Sequence, residues 1–411
     1  MKTNRQLLLS LTLALTVPIA LTSCSDDDNA LTPSQQQDIE LAELTEQYLN
    51  ATVIPTYTLL ANGTDTLYHK LDSLRTVAWA GGTITADAIS DVAAVFLRAR
   101  SNYELSEAFL FGAASDFGID PHIDSWPLDL DQLRSALLNT STIEALRTDD
   151  GTIAGTSLGS SVLGFHGIEY VLFRNGQPRT DLNGNDPDLP AVSGKLELTY
   201  AAAVAGDLRQ SCCQMEVSWN PNASEAHKEL VEDLPHAVPG NNLTYAENMM
   251  LAGQAGSTYS HRIKALNDIL IAGCENIANE VGDVKMGKPK GVSQGDPGRD
   301  ADYIESPYSQ NSREDFTDNI RSIENVIMGG RPELRNESRS IYAYLKARNP
   351  ELAAELKTKI DQATAAIQGI TYPFVTTVAD DNDTTVPAAI SACRVLDDCL
   401  IAVDNYIRSA Q

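Results

Sequence analysis

The chain has 411 residues, with 56 acidic against 30 basic side chains and a net charge of −26. That balance excludes nucleic acid as a partner, which needs a basic face, and excludes electrostatic attachment to anionic headgroups. It is compatible with cationic ligands and with plain solubility, and the length suggests two or three domains.

Residues 1–23 read as an export signal. Lys2 and Arg5 give a basic start, residues 7–21 are mostly apolar, and Leu21-Thr22-Ser23-Cys24 follows. The run is too short for a spanning helix and fits a secretory segment. Its end resembles a bacterial lipobox, so cleavage before Cys24 and lipidation of that residue are expected. Such cleavage removes two basic residues and no acid, taking the net charge from −26 to −28. Ser25-Asp26-Asp27-Asp28-Asn29 opens an acidic tether, residues 24–34, that resembles the surface-export signals of some lipoproteins. The expected location is the cell envelope, lipid-anchored at the outer membrane, on its periplasmic or surface side. The remaining cysteines, Cys212, Cys213, Cys274, Cys393 and Cys399, form no zinc-type pair. Cys393 and Cys399 fall about 9 Å apart along a helix, too far to bridge.

Residues 35–60 are periodic, with Pro55 as an expected kink or break. Thr85 can cap a helix running to residue 111, with Gly112 as its stop; Ile89, Val92, Phe96, Tyr103 and Leu110 keep its three-four spacing. Residues 158–173 are apolar on every side and predict a central buried helix. Residues 174–190 form a polar loop in which Asp181, Asn183, Asn185 and Asp188 only faintly resemble a calcium loop. Asp186 and Val192 stand where its glycine and bidentate glutamate should be. Further helices are predicted over 192–215, 243–281, 314–328, 352–370 and 386–409. The loop over 282–312 is long enough to be either functional or disordered. The chain therefore reads as all-α, built from antiparallel helical bundles, with one bundle over 35–220 and another over 221–411. Ile123-Asp124-Ser125-Trp126-Pro127 and Ile304-Glu305-Ser306-Pro307 hint at a duplication.

The most informative stretch is Gly164-Phe165-His166-Gly167-Ile168-Glu169. Val162, His166, Glu169 and Phe173 form one helical stripe, placing an imidazole and a carboxylate on a face that should meet the core. Burying such a pair is costly unless it is partnered or holds a ligand. Gly164 and Gly167 each cost about 1 kcal/mol against alanine inside a helix, which points to close approach by another helix or a ligand. Arg100, Glu104 and Glu107 share a face of the preceding long helix. If that helix packs on the motif, Glu107 can complete the site or hydrogen-bond His166. Asp124 is a further candidate acid.

The motif Gly164-x-His166-x-x-Glu169, followed by Tyr170-Val171-Leu172-Phe173, resembles that of the imelysin family. Arg100-x-x-Tyr103-Glu104-x-x-Glu107-Ala108-Phe109-x-Phe111-Gly112, the Ile123–Pro127 stretch, Glu324-Asn325-Val326-Ile327-Met328-Gly329-Gly330 and Tyr372-Pro373-Phe374 are similar to its other landmarks, and the resemblance covers residues 40–405. It implies two helical bundles with a site where they meet, a role linked to iron acquisition, and a peptidase label. The residues give that label little support. A zinc peptidase needs three ligands, an open position and a base; no His-Glu-x-x-His is present, and Tyr170 follows Glu169 where the inverted motif requires histidine. The other histidines (His69, His122, His227, His236, His261) read as surface or loop residues, and no Gly-x-Ser-x-Gly elbow occurs. Iron accepts carboxylate and imidazole ligands, and helical bundles build such sites. The expected ligands for iron or another divalent metal are His166, Glu169 and Glu107, with Gly164, Arg100, Glu104 and Asp124 around them and no catalytic residue assigned. The expected function is that of an envelope lipoprotein in iron uptake, binding iron or an iron-bearing ligand, with an outer-membrane receptor as partner. The alternatives are a metallopeptidase using the His166–Glu169 pair and a non-catalytic module of an uptake system.

Overall fold

A computed structural model describes residues 31–296 and 298–409. The expected signal peptide, Cys24 and most of the acidic tether lie outside this range. The fold is all-α. Among the described residues the only strands are the two-residue β1 (Phe173–Arg174) and β2 (Gln177–Pro178), an antiparallel hairpin turned by Asn175 and Gly176. Both turn residues have positive φ, 52° and 78°, as a tight hairpin requires. No helix among the described residues is long and apolar enough to cross a membrane.

The chain starts with α1 (Pro33–Tyr48), held by a reciprocal cap in which Thr32 Oγ1 accepts from Gln35 N and Gln35 Oε1 accepts from Thr32 N. It does not break at Pro55. A π-helical turn, Leu49–Val53, leads straight into α2 (Ile54–Trp79). Proline would clash with the carbonyl four residues back and leave it without a donor. Here that carbonyl, Ala51 O, accepts instead from Arg331 N at 2.9 Å, and the wider π turn accommodates the ring. α3 (Ala86–Glu104) starts where expected, with Thr85 Oγ1 accepting from Ala88 N, and buries Ile89, Val92, Phe96 and Tyr103. It stops at Glu104 rather than at residue 111. Glu107 lies beyond it in a 3-10 turn, Glu107–Phe109, and Gly112 sits at φ 80°.

The expected helix over 158–173 is shorter. Gly164 takes φ 66°, so only α4 (Gly164–Leu172) is α-helical, preceded by a 3-10 turn at Ser160–Val162. Every residue of α4 is buried. The central rod is instead α5 (Gly194–Trp219), of which all but three residues are buried and whose small side chains Ala201–Ala203 and Ala205 let neighbours approach. The expected helix over 243–281 is broken: Tyr245–Met250 is separate, and α6 (Arg262–Asn267) runs on through π turns at Asp268–Glu275 and Glu280–Lys285. α7 (Ser312–Met328), α8 (Pro350–Gln368) and α9 (Thr385–Ser409) complete the fold.

α2 and α3 pack together, α5 packs against α2, and α4 lies against both α3 and α5. α7, α8, α9 and the helix begun by α6 pack together in turn, and α3 meets α7 between the two groups. One continuous apolar core, from Leu41 to Ile407, runs through both. α1 packs against α6 and the 245–250 helix rather than with α2's neighbours, so the chain's first helix joins elements of its second half. The five cysteines among the described residues are free and buried.

Candidate functional site

Where α3, α4 and α7 converge, ionisable side chains replace apolar ones. Arg100 and Glu104 come from α3, Glu107 from the 3-10 turn, Asp124 from the loop after it, and His166 and Glu169 from α4. Lys285 ends a π turn, Glu305 lies in the loop before α7, and Asp315 is in the first turn of α7. All are buried, none exposed by more than 5 %. Two glycines make the convergence possible. A Cβ on Gly164 would sit 1.8 Å from Ile123 O, so only glycine lets the Asp124 loop lie on the start of α4. A Cβ on Gly167 would sit 2.1 Å from the Tyr200 hydroxyl, which donates to Val162 O. Both are therefore packed against protein.

His166 stands between two carboxylates. Its Nδ1 is 3.6 Å from Glu169 Oε2, and its Nε2 is 3.1 Å from Asp124 Oδ1 but makes no aligned hydrogen bond. Burial by itself would lower the imidazole pKa; Asp124 and Glu169 more than offset it and hold it up, at about 9. Glu169 has a second task. Its Oε1 accepts from Tyr308 N (3.1 Å), Ser309 N (2.7 Å) and Ser309 Oγ (2.7 Å). The expected i, i+3 pair is present, with Glu169 turned toward both the histidine and the Glu305-bearing loop.

Arg100 donates to Asp124 and Glu305, pairs with Glu104, and has Asp315 3.9 Å from its Nε. The Arg100–Glu104 pair, one helical turn apart on α3, thus belongs to a buried array. Lys285 Nζ lies 3.1 Å from Glu107, 3.2 Å from Glu305 and 3.7 Å from Glu104. Glu107 is accordingly paired with Lys285. Asn319 Nδ2 donates to Glu104 Oε2 at 2.6 Å, and Ser306 Oγ and Asn311 Nδ2 hold Asp315. With Asp120 and Glu280 at the edge, eight carboxylates face two permanent cations and one histidine. Burial, partly offset by Lys285 and Arg100, pushes Glu104 and Glu305 up to about 7. Burial likewise lifts Asp315 and Glu280 to about 7, and raises Glu107 well above the usual carboxylate range. Asp124 is the exception: burial would raise it, but Arg100 and His166 hold it well below the usual carboxylate range.

Three sets of potential ligand atoms lie within 4.8 Å of one another: Glu104–Glu305–Asp315, Glu104–Glu107–Asp124 and Asp124–His166–Glu305. Arg100 already contacts every member of the first, and Lys285 contacts both glutamates of the second. In the third, Arg100 also contacts Asp124 and Glu305, and Lys285 contacts Glu305 through Oε1, but His166 Nε2 and Glu305 Oε2 are buried without an aligned hydrogen bond. Protein dipoles rarely leave such atoms unmatched, so the third set fits a cation.

Sequence reasoning placed Arg100, Glu104, Glu107, Asp124, Gly164, His166 and Glu169 in or beside the site, and the structure brings all seven together. It missed Lys285, Glu305 and Asp315. One signal pointed to Glu305: the likeness of Ile304-Glu305-Ser306-Pro307 to Ile123-Asp124-Ser125-Trp126-Pro127, whose acids both bind Arg100.

The family model described as imelysin matches residues 53–396. The chain belongs to the imelysin family. It is 24 % identical over 345 residues to iron-regulated protein A of Synechococcus elongatus, covering 84 % of this chain and 80 % of that protein. Among solved structures it is similar to an iron-regulated protein A precursor from Parabacteroides distasonis, with TM-score 0.71, 26 % identity, and coverage of 92 % of this chain and 97 % of that one. An imelysin-like protein from Psychrobacter arcticum shares the fold, with TM-score 0.59 at 15 % identity over 90 % of this chain and 94 % of the other.

Proposed function

We propose that this imelysin-family protein is a lipid-anchored envelope protein that binds iron in the course of its uptake, with Asp124, His166 and Glu305 as ligands. The observation that carries the reading is a pair of buried atoms without an aligned hydrogen bond, His166 Nε2 and Glu305 Oε2, on side chains that come together with Asp124. One imidazole and two carboxylates form a mixed nitrogen–oxygen set that suits Fe(II) and related divalent ions. Glu169 opposite His166 Nδ1 repeats the carboxylate–histidine arrangement that orients metal-binding imidazoles and raises their basicity. Glu169 supports the ligand on this reading, and Glu107 serves Lys285. The iron-regulated names of two relatives, and the lipobox-like Leu21–Cys24 stretch, agree with this role.

Titration of Fe(II), Fe(III) and Zn(II) against the wild type, His166→Ala and Glu305→Gln tests it. The variants should lose at least tenfold in Fe(II) affinity; affinities equal to wild type would sink the proposal. Mass spectrometry of the membrane-extracted protein should show a lipidated N-terminal Cys24, absent in Cys24→Ser.

A further inference from the structure

The proposed ion site is enclosed, so an ion has to pass through a wall that opens. Helices line most of it, and two irregular segments close the rest. The first, after Ile123, is clamped: the Ile123 backbone packs directly on Gly164 with no room for a methyl group. The second carries Glu305 and is held differently. Its hydrogen bonds to α4 run through a single carboxylate oxygen, Glu169 Oε1, which accepts from Tyr308 N, Ser309 N and Ser309 Oγ, while the Tyr308 ring packs edge-on against Tyr170. On its other side Tyr308 O accepts from Gly176 N at the hairpin tip, 2.9 Å away. The segment is also under strain. Ser306 and Gln310 are non-glycine residues at φ 53° and 56°, in the left-handed region that L-residues avoid. Glu305 itself is tied to Arg100 and Lys285, Ser306 Oγ donates to Asp315 and Ser312 Oγ to Glu305 O; strained backbone held shut by such side-chain bonds is a bistable arrangement.

Building on the proposed ion site, we infer that residues 305–310 are the gate for the ion and that Glu169, acting through Ser309, is the positioning residue that holds it closed. Closing the gate carries Glu305 to His166 and Asp124; opening it withdraws that ligand and admits water. The latch and the strain act in opposite directions. Weakening the latch speeds ion entry and ion release together, and relieving the strain slows both. Because the closed state is disfavoured to the same extent with and without the ion, their ratio, the affinity, changes little.

The test uses full-length protein loaded with Fe(II), its release followed by stopped-flow mixing with excess chromogenic chelator and its uptake by mixing with Fe(II). Ser309→Ala removes one of the three hydrogen bonds to Glu169 Oε1 and should raise both rates about tenfold or more. Gln310→Gly relieves one left-handed residue and should lower both about fivefold; its side chain makes no hydrogen bond among the described residues. A merely structural Ser309 would change affinity or stability without this opposed pair of rate effects. Rates unchanged in both variants, or moved in the same direction, overturn the gate. A wild type that takes up no Fe(II) overturns the ion site itself, a separate outcome. Should Ser309→Ala fail to fold, hydrogen exchange of the wild type decides. The amides of Tyr308 and Ser309 should exchange faster than those of α4 and slow on Fe(II) loading; protection equal to that of α4 overturns the gate.

Discussion

Lowering the pH should stabilise the metal-free protein, the reverse of ordinary acid sensitivity. Glu104, Glu305, Asp315 and Glu280 are lifted by burial to about 7. Their values in the unfolded chain are those of free carboxylates, near 4. Between those limits the native state binds more protons than the unfolded one, so stability falls as pH rises through the window from about 4.5 to 7. His166, held up at about 9, acts in the same direction: its contribution is complete below its unfolded value and is lost as pH rises from about 6.5 through 9. The strongly depressed Asp124 is ionised throughout. One such carboxylate changes stability by about 2–3 kcal/mol between pH 5 and 8. Unfolding entropy for a chain of about 380 residues is roughly 0.8 kcal/mol/K, so each group shifts Tm by about 3 °C, and the set by up to about 10 °C. Calorimetry on chelator-treated, dialysed protein at pH 5.5, 6.5, 7.5 and 8 measures this directly. Tm should fall across the series, and saturating Fe(II) should make the fall shallower, because the ion displaces the protons on Glu305 and His166. A metal-free Tm that rises or stays level over the series would refute the assignment of these carboxylates as buried and short of counter-charge.

Other consequences are as direct. Asp124→Asn should lower Fe(II) affinity at least tenfold in calorimetric titration, whereas Glu107→Gln, whose carboxylate is held by Lys285, should change it less than that. Gly164→Ala should cost about 3 kcal/mol or more in urea unfolding, since its methyl group meets the Ile123 carbonyl in a left-handed backbone; a cost below 1 kcal/mol would contradict the close packing. Lys285→Met should cost about 3–5 kcal/mol at pH 8, because it strands buried carboxylates, and distinctly less at pH 5.5, where they can take up protons. Thiol titration of native protein should find the five cysteines of residues 31–409 largely unreactive and all five reactive after denaturation, and a reductant should leave Tm unchanged.

Much of the helical scaffold was legible because its signals are local. Thr85 caps α3 through its own side chain, and the apolar spacing of Ile89, Val92 and Phe96 is a property of neighbouring residues. The His166–Glu169 pair was legible for a similar reason: polar groups interrupt a run in which everything else is apolar. What escaped was set by distant partners. Pro55 does not break its helix because Arg331, far along the chain, supplies the missing donor. Glu107 leaves α3 because the chain turns to meet Lys285, and Lys285, in a segment read as loop, has no local mark of burial. The apolar run over 158–173 gave the right burial and the wrong length, since periodicity does not show that Gly164 must take a left-handed conformation to clear Ile123.

The uninterrupted helix from Pro33 to Trp79 bears on how the molecule moves. Its first part is fastened to the second half of the chain: Gln37 donates to the Tyr344 hydroxyl, Gln47 to Gly329 O, and Arg348 to Glu40. Its later part lies along α3 and α5. A rod pinned at both ends acts as a splint across the two helical groups. Rocking one group against the other would have to bend it at Leu49–Val53, where Arg331 is hydrogen-bonded to Ala51. Mechanical compliance is thereby denied to the scaffold as a whole and left to the short irregular segments on its inner face.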